Sequence, residues 1–156
     1  MSRLICTATA LKEWAVICRA LETGRQTLLL RKGGIAEGAG GFRAEHDRFW
    51  LYPTQFHQSA DQLSPEFASL LCDIDQLRTS DGRIVVRTFA HVEQVAYLTS
   101  LEQVLSLRGL HGWSEAVVEQ RFHYKKPGVY LFVVRVFAAK TATAGTESTT
   151  MSGRKA

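Results

Sequence analysis

Cysteine is scarce in this chain: Cys6, Cys18 and Cys72 are an odd number with no C-x-x-C pair among them. That pattern argues against a disulfide framework and a zinc knuckle. Cys18 and Cys72 lie in apolar runs and read as buried filler, not as nucleophiles. Long hydrophobic runs are missing too. None approaches the roughly 18 residues a membrane-spanning helix requires, and Lys12 and Glu13 interrupt the apolar start "MSRLICTATALKEW" too early for a signal peptide. A cytoplasmic protein without a membrane partner is the expectation. Charge of one sign is not in large excess either. Of the formal net charge of +4, Lys140, Arg154 and Lys155 against Glu147 put +2 in the final stretch, leaving +2 for residues 1–138. A domain so balanced does not coat DNA by charge alone, so any basic site must be local. Familiar catalytic signatures are absent: there is no G-x-S-x-G, no H-E-x-x-H and no Walker G-x-x-x-x-G-K-[ST]. No spacing calls for Cys72 to pair with His57 or His111 as a catalytic thiol. No cofactor and no metal site are expected, and no catalytic residue can be named.

What the chain does have is enough apolar residues for a core, 46% of 156, in a length that suits one domain. From Lys140 the composition shifts to Thr, Ala, Ser and Gly, with Met151 the sole large apolar side chain. Such a stretch buries too little surface to offset the entropy of ordering it. A globular domain over 1–139 and a disordered tail over 140–156 are therefore predicted.

Residues 9–22 place Leu11, Trp14, Cys18 and Leu21 on one stripe with Gly24 as a stop, which predicts a helix. "RQTLLLRK" reads as a central strand, and Ile35 to Gly41 as a glycine-rich flexible loop. "HDRFWLYP" reads as a strand ended by Pro53, after which Thr54 opens a short polar helix through Gln58. Ser64-Pro65-Glu66 starts a helix that runs to the turn Ser80-Asp81-Gly82. "RIVVRTFAHVEQVAYL" is one bent strand or two short ones. Short helices follow from Ser100 and Ser114, then the strand "GVYLFVVRVFA". Helices and strands do not alternate as βαβ units. The expectation is an α+β fold: a single compact domain with a small mixed sheet or partly closed barrel and about four packed helices.

Three segments carry candidate chemistry. In "LLLRKGGI", Gly33 and Gly34 permit positive φ, so successive N–H groups could form an anion nest beside Arg31 and Lys32; the alternative is an ordinary turn with solvated cations. In "EHDRFWLYPTQFHQ", a helix start at Thr54 would offer backbone N–H groups to an anion, with His57 in its first turn. His46 and His57 stand eleven residues apart, no metal-ligand spacing, and read as structural histidines. In "HGWSEAVVEQRFHYKKPG", Val117, Val118 and Phe122 face inward and Glu115, Glu119 and Arg121 outward. Tyr124, Lys125 and Lys126 then combine an aromatic ring with cations, as in surfaces that grip single-stranded nucleic acid.

The blocks "ALKEWAVICRALETGRQTLLLRKGGI", "HDRFWLYPTQFHQ" and "LHGWSEAVVEQRFHYKKPGVYLFVVRVF" together resemble a bacterial family, domain of unknown function family 1802. The resemblance covers roughly Ala8 to Ala138 and implies no assigned activity. On element order alone, the expected fold is similar to the pseudouridine-synthase-and-archaeosine-transglycosylase barrel seen in RNA-binding modules, although fold does not fix function. The leading expectation is a nucleic-acid- or nucleotide-binding module using Arg31, Lys32, Gly33, Gly34, Thr54 and His57, extended by Arg121, Tyr124 and Lys125. The alternatives are a metal-dependent nuclease or other phosphodiester hydrolase, with Glu45, His46, Asp47 and His57, or a non-catalytic module that binds a protein partner.

Overall fold

A computed structural model describes residues 9–33, 35–38, 41–55 and 59–145. In chain order its elements are β1 (Ala10–Trp14), α1 (Ala15–Glu22), β2 (Leu28–Arg31), β3 (Ile35–Gly38), β4 (Gly41–Ala44), β5 (Arg48–Thr54), α2 (Pro65–Ala68), β6 (Ile84–Leu98), α3 (Leu101–Leu105), α4 (Glu115–His123) and β7 (Val129–Gly145). Strands β1-β5-β6-β7-β2 form one mixed sheet, curled into a half-barrel, and β3 and β4 pair as a separate ribbon. Only β1 and β5 run parallel within the five-stranded sheet. The fold is α+β, as expected from the pattern of elements.

Helix α1 buries Ala15, Val16, Ile17, Cys18, Ala20 and Leu21, so it is apolar on more than one face. Ile17, Cys18 and Leu21 join the main core with Leu29, Leu51, Phe132 and Trp113, while Val16 and Ala20 pack on Leu63, Phe67 and Leu70. A helix covered on both sides in this way is a central element, held by burial at about 1.5–3 kcal/mol per large side chain.

Several sequence expectations need correction. The helix expected over 9–22 begins only at Ala15, because Ala10 to Trp14 lie in β1, registered against Trp50 to Thr54. Pairing with β5 gives those residues the backbone bonds a helix would have given, and a stripe of apolar side chains does not distinguish the two. Strand β5 runs through Pro53 to Thr54, so Thr54 ends a strand and does not cap a helix; residues 56–58, including His57, lie outside the described residues. The ladder from β5 to β6 ends at Leu51, so Pro53 sits beyond the doubly paired part of its strand. The loop expected from Ile35 is the β3–β4 ribbon. The helix expected from Ser64 is the single α-turn of α2, continued as 3-10 structure from Ser69 to Leu77.

Strand β6 is one element whose register shifts between Val86 and Thr88 and between Val92 and Gln94, which explains its imperfect alternation. Strand β7 continues past Lys140 to Gly145, and Thr143, Ala144 and Gly145 register with Val86, Val85 and Ile84. The stretch expected to be tail is therefore strand up to Gly145, because β6 supplies the hydrogen-bond partners its own composition does not call for. Residues 146–156 lie outside the described residues. None of the described helices is long and apolar enough to cross a membrane.

Candidate functional site

The leucines of "LLLRKGG" are core, with Leu28, Leu29 and Leu30 all buried. Beyond them the two cations part company. Arg31 reaches Glu13, with NH1 at 3.7 Å from Oε2. Glu13 is only 5% exposed, and its Oε1 accepts the Trp14 N–H at 2.9 Å. Lys32 turns the other way: its Nζ donates to the carbonyl oxygens of Phe122 at 3.1 Å, Lys126 at 2.5 Å and Gly128 at 2.6 Å. That uses the three donors of an ammonium, and burial pushes the Lys32 pKa down. Phe122 lies in the last turn of α4, where a cation also complements the helix dipole. Gly33 is not among the positive-φ residues, and Gly34 lies outside the described residues.

Lys32 thereby secures the loop after α4. Within that loop Lys125 adopts a φ of 61° and Gly128 a φ of 126°. Tyr97 Oη donates to the Pro127 carbonyl at 3.1 Å, and the Tyr97 ring lies so close beneath Gly128 that no Cβ fits there. The result is a braced turn. Tyr124 is 46% exposed at its start, with the Lys125 ammonium 5.3 Å from the ring centroid. Lys125 and Lys126 are exposed.

Arg121 corrects the sequence expectation, since it faces inward. Its NH1 donates to the Leu30 carbonyl at 2.9 Å and its guanidinium lies 4.7 Å over the Trp113 ring. Burial lowers its pKa, Glu13 works against that shift, and Arg31 adds to it. Glu13 is thus the counter-charge shared by Arg31 and Arg121. Thr54 joins the same cluster through Oγ1, which donates to the Glu13 carbonyl at 3.2 Å.

A cleft of about 330 Å³ is lined by Trp14, Lys32, Gln62, Gln120, Arg121 and Tyr124. Lys32, Arg121 and Tyr124, expected from the sequence, meet in it, and the exposed Lys125 lies against the Tyr124 ring. Arg31 and Gly33 instead border a hollow of about 40 Å³ shared with Glu45 and His46. No group of three His, Cys, Asp or Glu suited to a metal occurs among the described residues. Cys18 is buried, and burial followed by the charges of Glu13 and Glu22 pushes its thiol well above the usual range. Cys72 is exposed, contrary to its expected role as filler, because its 3-10 segment turns it outward. Cys6 lies outside the described residues.

Glu13 is the residue sequence reasoning missed. With 9–22 read as a helix it was a break in an apolar patch. In a strand, Leu11 and Glu13 share a face, and a carboxylate beside a core leucine demands a buried cation.

A mixed, curled sheet with a cation-lined cleft against α4 defines a small α+β half-barrel protein. The chain belongs to the family described as Domain of unknown function (DUF1802), whose profile matches residues 10–156. No curated protein matches it. Among solved structures it is similar to the ASCH protein from Zymomonas mobilis, at 15% identity and a TM-score of 0.49, covering 81% of this chain and 65% of that one. Mutant forms of that protein match at 17% and 15% identity, each with a TM-score of 0.48, 81% of this chain covered and 66% and 67% of theirs. The chain thus spans about two thirds of the length of the structures it resembles.

Proposed function

We propose that this chain is a nucleic-acid- or nucleotide-binding module whose ligand lies in the cleft beside α4 and over the turn Tyr124–Pro127. The observation that supports it is convergence. Lys32 and Phe122, 90 positions apart, are joined so that two cations and an exposed tyrosine surround one opening. Tyr124 offers a face on which a base stacks, and Lys125 and Lys126 lie beside it for phosphates, the pairing that holds single strands without reading sequence. Lys32 and Arg121 then act chiefly by positioning, because their donors are directed to carbonyl oxygens. Arg31 and Thr54 brace the same wall through Glu13. Gly33, Gly34 and His57 belong to the proposal on sequence grounds.

The test is fluorescence anisotropy with labelled single-stranded RNA, single-stranded DNA and duplex DNA across a salt series. Single strands are expected to bind more tightly than duplex. Lys125→Glu with Lys126→Glu should weaken binding and flatten the salt slope by roughly 0.7 for each phosphate no longer held. Tyr124→Ala should cost about 1–3 kcal/mol, the usual worth of one stacked base. Absence of binding to all three probes at low salt would reject the proposal.

The second reading, a phosphodiester hydrolase, draws on the hollow where Arg31 meets Glu45 and His46. Adding Mg²⁺ or Mn²⁺ to the same probes separates it: cleavage abolished by Glu45→Gln would favour it over simple binding.

A further inference from the structure

Of the two cations that line the cleft against α4, one has hydrogen-bonding capacity the fold does not exhaust. Lys32 directs its Nζ at three carbonyl oxygens, all that an ammonium serves. Arg121 differs. A guanidinium carries five N–H donors, and among the described residues only Nη1 is engaged, by the Leu30 carbonyl at 2.9 Å. Nor are the others sealed away. Among the described residues, the buried side-chain nitrogens without a partner are Arg19 Nε, His111 Nδ1 and Trp113 Nε1, none of them on Arg121. Arg121 Nε and Nη2 are therefore unbonded yet open to solvent, and the opening that Arg121 lines is the cleft of about 330 Å³.

This open edge is held still. Nη1 is tied to β2, and the guanidinium lies 4.7 Å over the ring of Trp113, itself 1% exposed. Trp113 is fixed in turn by its antiparallel bridge to Leu63. A guanidinium placed before its ligand arrives loses little freedom on binding. Charge favours an anion as well, since Arg31, Arg121 and Lys32 stand against one carboxylate, Glu13. The edge of a guanidinium presents parallel donors that match two oxygens of a phosphate.

The rest of the lining suits a nucleoside attached to that phosphate. Trp14 and Tyr124 contribute rings, and Gln62 and Gln120 contribute amides. At about 330 Å³ the cleft stands at the small end of ligand sites, roughly 300–1,000 Å³, so it encloses one unit of a strand and not several. A phosphate at a strand end carries about −1.5 to −2 charges, against about −1 for a linking phosphate. One fixed guanidinium in a cation-rich cleft favours the former.

We propose that the open edge of Arg121 seats a terminal phosphate, so that the cleft takes a nucleotide bearing a phosphomonoester, either at a strand end or free. This rests on the nucleic-acid- or nucleotide-binding reading and adds which phosphate is held and by which group.

The experiment is fluorescence anisotropy with short, internally labelled RNA single strands that differ only at their ends: a 5′-phosphate, a 3′-phosphate, or hydroxyls at both. One phosphorylated strand is expected to bind roughly tenfold or more tightly than the hydroxyl strand. Arg121→Lys keeps the charge and loses the fork, and should reduce that ratio to about threefold or less. Lys125→Glu with Lys126→Glu should weaken all three strands and leave the ratio in place. In arginine-labelled protein, the ¹⁵N signal of Arg121 Nε should move with the phosphorylated strand and not with the hydroxyl strand, which locates the phosphate without a substitution. Competition by 5′-AMP and 3′-AMP, set against adenosine, separates the sources: displacement assigns the site to a free nucleotide, and resistance assigns it to a strand end. Equal binding of the three strands would overturn this inference and leave the binding module standing, whereas no binding of any strand rejects both. A stationary Arg121 signal would also overturn it. So would a preference that survives Arg121→Lys and vanishes with the two lysine changes, because the phosphate would then lie on the turn.

Discussion

Lys32 shows how little a residue's charge says about its task. In the sequence it stands beside two glycines and invites a phosphate; in the structure its ammonium ties the end of α4 to the loop that follows. Lys32→Met leaves three carbonyl oxygens without that donor and is expected to cost about 1–3 kcal/mol, read as a lowered midpoint in urea. Lys32→Arg should rescue it poorly, because a flat guanidinium does not present donors to three converging oxygens as an ammonium does. His111 makes a second prediction at this scale. Its folded pKa of about 4 lies below the ordinary 6.5, so the unfolded chain binds the proton more readily between those values. The stability this neutral histidine allows is present above pH 6.5 and is lost as pH falls toward 4. The loss amounts to up to about 3 kcal/mol. Urea melts at pH 7 and pH 4.5 should show it, and His111→Phe should remove that part of the difference.

Among the elements, α4 is positioned by both its ends. Ser114 caps the start, accepting the Val117 N–H at 3.4 Å, and Lys32 closes the finish. Ser114→Ala is expected to cost about 1 kcal/mol and to speed amide exchange in the first turn of α4 before it affects the sheet. This cap was legible in the sequence because it rests on neighbouring residues. The β1–α1 junction was not, since Trp14 belongs both to the apolar stripe of a helix and to a strand registered against Thr54. The inward turn of Arg121 was equally hidden. Its spacing on α4 suits the solvent face, and only the Leu30 carbonyl and the Trp113 ring make an inward guanidinium favourable.

For the molecule as a whole, the long pairing of β6 with β7 carries the sheet past Ala138 to Gly145. Because Thr143 to Gly145 pair with Ile84 to Val86, a chain truncated after Gly145 should melt near the intact protein. One truncated after Ala138 should melt measurably lower and lose exchange protection at Ile84 and Val85. Equal melting of the two would show that the extension adds nothing to stability. What the sequence determined by itself was local: apolar content for a core, the capping serine Ser114, the apolar strand run of β7, and an aromatic-basic turn after α4. These depend on residues within a few positions of one another. Only the tertiary structure decided that Glu13 would be buried beside Arg31, that Lys32 would brace a loop 94 positions away, and that Ser64, His111 and Trp113 would share one cavity. The physical reason is that a buried charge or polar group is defined by its partner, and these partners become neighbours only when the sheet closes.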